Sequence, residues 1–185
     1  DRGQLIMACG TGKTLISLWI MESLDANCTL VLVPSLSLLK QTIPDWLRNR
    51  SHDFEFLPVC SDETVGHQDS AMSSVSELGF PTTTDANVIA EFLERPGRRV
   101  VFSTYHSSPV IARAMATSEI SFDLALADEA HRCTGPVSSA FATVLDADQI
   151  RAERRLFMTA TPRTFSDRVR KAAVEDDFEL ASMND

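Results

Sequence analysis

Gly10-Thr11-Gly12-Lys13-Thr14 closes an apolar run that begins at Leu5, and this order of residue types suits the chemistry of holding a polyphosphate. Glycines let backbone N–H groups wrap an anion at close range, and a helix that starts beside them turns its positive end toward the same anion. Lys13 is placed to reach terminal phosphates as a compact cation, Thr14 to ligate magnesium through its hydroxyl, and Cys9, Gly10, Thr11 and Gly12 to line the loop. The full pattern G-x-x-x-x-G-K-[ST] has its first glycine at position 7, which is Met7 here. Taken alone, then, the stretch leaves open a strand that merely turns into a helix.

Splitting a phosphoanhydride also requires carboxylates, one for the metal and one to take a proton from the attacking water. The run from Phe122 to Ala127 ends directly in Asp128 and Glu129, at the strand end where parallel sheets open into their ligand crevice. Asp128 is the candidate magnesium ligand and Glu129 the candidate general base. Acidic residues are favoured at any helix N-terminus, but that does not explain their coincidence with a phosphate loop. Lys13 and the Asp128–Glu129 couple are expected to converge across adjacent strand tips on one metal-bound triphosphate.

The elements that must position these groups are legible as short apolar and β-branched runs: 5–8, 29–33, 54–59, 100–104, 122–127 and 156–159. Continuous apolar strands separated by helices indicate a parallel sheet covered on both faces, hence a doubly wound α/β architecture. Helices are expected over 15–24, after Ser35, and over 87–95. In the last of these Thr84 or Asp85 caps the start, Pro96-Gly97 ends it, and Val88, Ile89, Phe92 and Leu93 form the apolar face. In the helix after Ser35, Leu39, Ile43, Trp46 and Leu47 share one side, and Pro44 is expected to kink it or end its first half. Residues 61–85 read as a solvated loop.

The chain has 185 residues, 44% hydrophobic and 23% charged, which bounds it to one globular domain with a real core. Its ends are abrupt, as in a piece of a longer polypeptide. It has neither an apolar stretch near the ~20 residues that span a bilayer nor a signal-peptide start, so a cytoplasmic location is expected. Cys9, Cys28, Cys60 and Cys133 lack metal or disulfide spacing. The formal net charge of -9 has the wrong sign for gripping nucleic acid by bulk electrostatics.

With both stretches in view, the chain resembles the superfamily 2 DEAD/DEAH-box helicases and translocases. "DEAH" at 128–131 is similar to their magnesium-and-water motif, "LVPSLSLLKQT" at 32–42 and "VFSTYHS" at 101–107 to segments that contact the nucleic-acid backbone, and "LFMTATPR" at 156–163 to the coupling motif. The variants "MACGTGKT", "DEAHR" and "MTATPR" most resemble motors of restriction enzymes, the type III restriction subunit group and single-polypeptide restriction–modification translocases, in which Met7 is a familiar substitute.

This resemblance implies the first RecA-like P-loop NTPase domain, truncated at both ends, with the second RecA-like domain and its arginine finger absent. It implies ATP and Mg2+ as ligands, DNA more than RNA as partner, and an ATP hydrolase in the full-length protein whose isolated fragment is nearly inactive. Thr159 and Thr161 would link nucleotide state to domain movement, His131 would join them to the carboxylates, and Ser35, Gln41 and Thr104 would touch the nucleic-acid backbone. Contact through hydroxyls and N–H groups needs no large basic patch, which accommodates the negative charge. The competing readings are an RNA helicase and a small-molecule P-loop kinase or phosphotransferase.

Overall fold

The computed structural model describes residues 1–61, 75–130, 135–136, 143–161 and 180–181. In chain order its strands and α-helices are β1 (Arg2–Ile6), α1 (Lys13–Ser23), β2 (Cys28–Val33), α2 (Leu36–Asn49), β3 (Glu55–Val59), α3 (Ala86–Leu93), β4 (Arg99–Thr104), α4 (Ser108–Ala116), β5 (Phe122–Ala127), β6 (Gly135–Pro136), β7 (Ala152–Thr159) and β8 (Leu180–Ala181). Six strands form one sheet in the order β1-β7-β5-β2-β4-β3, and every neighbouring pair is parallel. The short β6 and β8 pair antiparallel apart from it.

Alternation along the strands divides the core in two. On one face Leu30, Leu32, Val101, Ala125 and Phe157 pack with Ile89, Phe92 and Leu93 of α3 and Ile111 and Met115 of α4. On the other, Val31, Val33, Phe102, Leu126 and Met158 pack with Leu18 and Met21 of α1 and Leu36, Leu39, Ile43 and Trp46 of α2. The unbroken apolar run of β2, buried at all of its positions, follows from burial on both faces. The doubly wound α/β expectation therefore matches the observed fold.

Four local expectations are corrected. Pro44 neither ends nor splits α2, which continues to Asn49; the carbonyl that loses its i+4 partner belongs to exposed Lys40, while buried Leu39, Ile43 and Trp46 hold the helix on both sides of the proline. Val88 is exposed, so the inner face of α3 is Ile89, Phe92 and Leu93, with Asp85 accepting from the Asn87 N–H as its cap. Residues 75–85 are not a solvated loop: Leu78 is buried, Val75 and Phe80 pack on the α1/α2 side, and Thr83 bridges to Val59. Residues 62–74 of that stretch lie outside the described residues. α4, for which no periodicity argument was available, starts with Pro109 in its first turn.

The fourth correction concerns the sheet order. β1 and β5, which lead into the phosphate loop and the acidic couple, are not adjacent, because β7 lies between them. A strand late in the chain can fill the central slot of a parallel sheet, and nothing in its local sequence announces where it will insert. Among the described residues no helix is long and apolar enough to cross a membrane.

Candidate active site

All six parallel strands end on the same side of the sheet, and Lys13, Thr14, Asp128, Glu129 and Thr159 lie at or just beyond those ends. β1 passes its ladder through Ile6 and then Met7, whose N–H donates to the Thr159 carbonyl at 3.0 Å. The backbone of Met7 does not take a positive φ, so this position has no requirement for glycine, which accounts for the incomplete pattern. Gly10 and Gly12 do: their φ values are 74° and 94°, and a Cβ at either would meet nothing within 4 Å. The loop is thus open on the side where a ligand would sit, and its left-handed turns are what glycine supplies at no steric cost.

Within the loop the Thr11 hydroxyl donates to the Ala8 carbonyl at 2.7 Å. α1 begins at Lys13 with Gly12 as its N-cap and no side-chain cap, leaving its first N–H groups free of a capping side chain. Lys13 is only 8% exposed. Its amine donates to the carbonyls of Met7 at 3.3 Å and Ala8 at 3.5 Å, and lies 4.0 Å from the Glu129 carboxylate. Thr14 is half-buried, and its carbonyl accepts from both the Ser17 hydroxyl and the indole N–H of Trp46, at 2.7 and 3.1 Å.

Directly after β5, Asp128 is buried. Its N–H donates to the Leu32 carbonyl at 2.8 Å, and one of its carboxylate oxygens accepts from the Glu129 N–H at 2.9 Å. Burial is the main cause pushing the Asp128 carboxyl above its ordinary range; the Glu129 N–H opposes this, the Glu129 charge adds to it and Lys13 lowers it. Glu129 adopts φ 48°, a left-handed conformation that costs a non-glycine residue about 1–2 kcal/mol and that persists at functional positions. Its carboxylate reaches Lys13 across the intervening β7, so long side chains on both partners close a gap of two strand spacings.

Thr159 ends β7 between them. It is buried, its carbonyl accepts from Met7, and its hydroxyl accepts from the Thr161 N–H at 3.1 Å. Thr161 itself is exposed, and His131 lies outside the described residues. Of the three backbone-contact candidates, Gln41 is exposed, and Ser35 is half-buried with its hydroxyl capping α2 through the Leu38 N–H. Thr104 is placed in the core: it is fully buried with its hydroxyl on Ser107 at 3.3 Å, so its side chain presents nothing to a ligand.

Two residues outside the sequence-derived set also touch the site. Trp46 contacts Thr14 as above, and Tyr105 is fully buried with its hydroxyl donating to the Asp128 carbonyl at 2.7 Å. An apolar-stripe argument places Trp46 in the core but cannot say where its N–H ends. Tyr105 stands in "VFSTYHS", yet its reach to a separate strand has no local signal.

The donor set fits a nucleotide with magnesium. Among the described residues no group of three or more His, Cys, Asp or Glu could hold a metal by itself, and magnesium is commonly held by one or two protein oxygens together with substrate phosphates and water. A buried carboxylate pushed toward its neutral form is the kind of group a nearby cation would favour as the anion. Without that cation the charge is a burden, so Asp128→Asn is expected to raise the melting temperature of the ligand-free protein by a few degrees. The amide oxygen can still accept from Glu129. Because the carboxyl titrates above its unfolded value, the penalty of ionising it appears as pH rises past the ordinary carboxylate range. The gain should therefore be present at neutral pH and vanish in acid, and thermal melts at both conditions check it; an unchanged neutral midpoint would mean that Asp128 is already compensated.

Over residues 1–164 the chain matches the family model of the type III restriction enzyme, res subunit. It is 32% identical over 166 residues to a probable helicase of African swine fever virus (isolate Tick/South Africa/Pretoriuskop Pr4/1996), a match covering 88% of this chain and 17% of the viral protein. It is similar in structure to the ATP-dependent Type ISP restriction-modification enzyme LlaBIII bound to DNA, with TM-score 0.75 and 37% identity over 88% of this chain and 11% of that one. A nuclease-deletion mutant of the Type ISP enzyme LlaGI, in complex with a DNA substrate mimic, gives TM-score 0.68 and 36% identity over 89% of this chain and 16% of that one. The Hef helicase domain of Pyrococcus furiosus shares the fold at TM-score 0.57 and 19% identity, over 96% of this chain and 33% of that one. The chain thus spans a small part of the length of each. With its match across nearly all of the parallel sheet and both loops at the sheet's C-terminal edge, the chain belongs to the type III restriction enzyme res subunit family.

Proposed function

We propose that this chain is the ATP-binding half of an ATP-dependent DNA helicase or translocase motor within a restriction or other defence enzyme, working with a second RecA-like domain of the same polypeptide. The observation that carries the reading is the 4.0 Å approach of Lys13 to Glu129 beside buried Asp128, with an open glycine loop facing them. Family membership and the likeness to DNA-bound restriction–modification enzymes support DNA as the track.

In this reading Gly10, Thr11, Gly12 and the first N–H groups of α1 bind the phosphates, and Cys9 lines the loop. Lys13 exchanges its own loop carbonyls for phosphate oxygens. Thr14 and Asp128 would hold magnesium, whose charge would offset that developing on the transferred phosphoryl group. Glu129 orients the attacking water and takes its proton. Thr159, tied to Met7 on one side and Thr161 on the other, relays the state of the loop to the cleft, and His131 joins the carboxylate end to that relay. Ser35, at the N-cap of α2, and Gln41, within it, face the nucleic-acid backbone. Thr104 belongs to the same proposed set, at the end of β4, where it is buried with its hydroxyl donating to Ser107.

The test is the ATPase rate of the full-length protein with duplex DNA, single-stranded RNA or a small phosphate acceptor. Stimulation by duplex DNA is expected. Stimulation by RNA alone would replace the reading with an RNA helicase, and phosphate transfer to the small acceptor with a kinase.

A further inference from the structure

The Asp128–Glu129 peptide is held at both of its polar atoms. Its N–H, on Glu129, donates to the Asp128 carboxylate at 2.9 Å; its carbonyl, on Asp128, accepts from the Tyr105 hydroxyl at 2.7 Å, in a buried setting. Rotating this peptide plane changes φ of Glu129, which stands at 48°, and so re-aims the Glu129 side chain. A non-glycine residue relaxes from that region unless its surroundings over-determine it. The first of the two anchors belongs to the couple itself and would turn with it. The second comes from outside.

Tyr105 follows the last residue of β4, and β2 separates β4 from β5. The hydroxyl therefore spans two strand spacings, a reach beyond Ser or Thr. It is the chain's single tyrosine, fully buried, and the residues around it, Thr104, Ser107 and Ser108, are buried as well. Ser108 donates to the Tyr105 carbonyl at 2.7 Å, so the backbone that carries the ring is itself braced.

We propose that Tyr105 is a positioning residue: through the Asp128 carbonyl it locks the Asp128–Glu129 peptide and so sets the direction of the Glu129 carboxylate toward the reacting water. The inference rests on Glu129 being the general base. It also gives the "VFSTYHS" segment a physical connection to the acidic couple, since a shift at the end of β4 acts on the peptide through this hydroxyl.

The variant that removes only the hydroxyl is Tyr105→Phe, made in the full-length protein. The expected result is a fall in kcat of about tenfold, with KM for ATP within about twofold of wild type, because the acceptor is left unpaired while the nucleotide loop is untouched. In a Glu129→Gln background the same change should lower kcat no further, because there is no carboxylate left to misdirect. Asp85→Ala, which removes the cap of α3 and touches neither the loop nor the acidic couple, serves as a stability control and should leave kcat unchanged. A kcat near wild type for Tyr105→Phe would overturn the proposal, as would an undiminished loss in the Glu129→Gln background or an equal kcat loss in Asp85→Ala. If Glu129→Gln itself turned over like wild type, or wild type showed no ATPase, the underlying reading would fall and the proposal with it. Those outcomes are distinct from a silent Tyr105→Phe in an active, Glu129-dependent enzyme.

Discussion

The chain by itself is expected to hydrolyse ATP about 10³ to 10⁵ times more slowly than the full-length protein, the range that an arginine finger is worth in phosphoryl transfer. The reason lies in where the positive charge is. Phosphoryl transfer gains most from positioning and from absorbing negative charge on the transferred group. At the C-terminal edge of the sheet the described residues supply Lys13 and the N–H groups of the loop. Arg2, Arg99 and Arg151 sit at the starts of strands, the opposite edge, and Arg154 and Arg155 lie in the first half of β7. Arg155 is committed there, donating to the carbonyls of Val144, Ala152 and Ile150, as is Arg151 to those of Met115, Ser118 and Ile120. On the proposed two-domain reading, a further cation would come across the cleft. Single-turnover hydrolysis by the isolated chain, with and without duplex DNA, measures the deficit; robust DNA-stimulated turnover by the chain alone would end the two-domain account.

Glu129→Gln in the full-length protein should lower kcat by about 10²- to 10⁴-fold, the usual contribution of a positioned general base, while ATP stays bound. The substitution keeps the size and reach of the side chain. It removes the proposed proton acceptor and also one of the two negative charges flanking the proposed metal position, since the Glu129 charge is among the causes that push Asp128 toward its neutral form. Lys13 keeps its bonds to Met7 and Ala8 in the absence of nucleotide, so the loop has no reason to collapse. Hydrolysis and nucleotide retention measured on the same preparation separate this from a binding defect. Turnover close to wild type would place the base elsewhere, and loss of binding together with hydrolysis would make Glu129 a structural partner of Lys13.

Much of this protein is written in local sequence, because the forces involved are local. Burial on both faces demands unbroken apolar strands, so β2 and β5 could be read directly; a loop that turns through positive φ favours glycine, so Gly10 and Gly12 stood out; Asp85, with Thr84, could be read as a cap candidate because capping uses neighbours three residues away or fewer. The pairing of a glycine-lysine loop with an acidic couple indicates the proposed chemistry from residue types alone.

What the tertiary structure decided is order and reach. The insertion of β7 between β1 and β5 depends on the packing of the whole sheet, and it places Thr159 at the end of the strand that lies between those leading into the loop and the carboxylates. The burial of Thr104, the passage of α2 through Pro44 and the packing of Leu78 and Phe80 each turned on what lay above the residue in space. So did the bonds from Trp46 to Thr14 and from Tyr105 to Asp128, which cross 32 and 23 residues of chain. Local patterns encode which face a residue shows; they carry no information on which distant backbone atom a buried hydroxyl or indole will find, because that is settled only when the layers close.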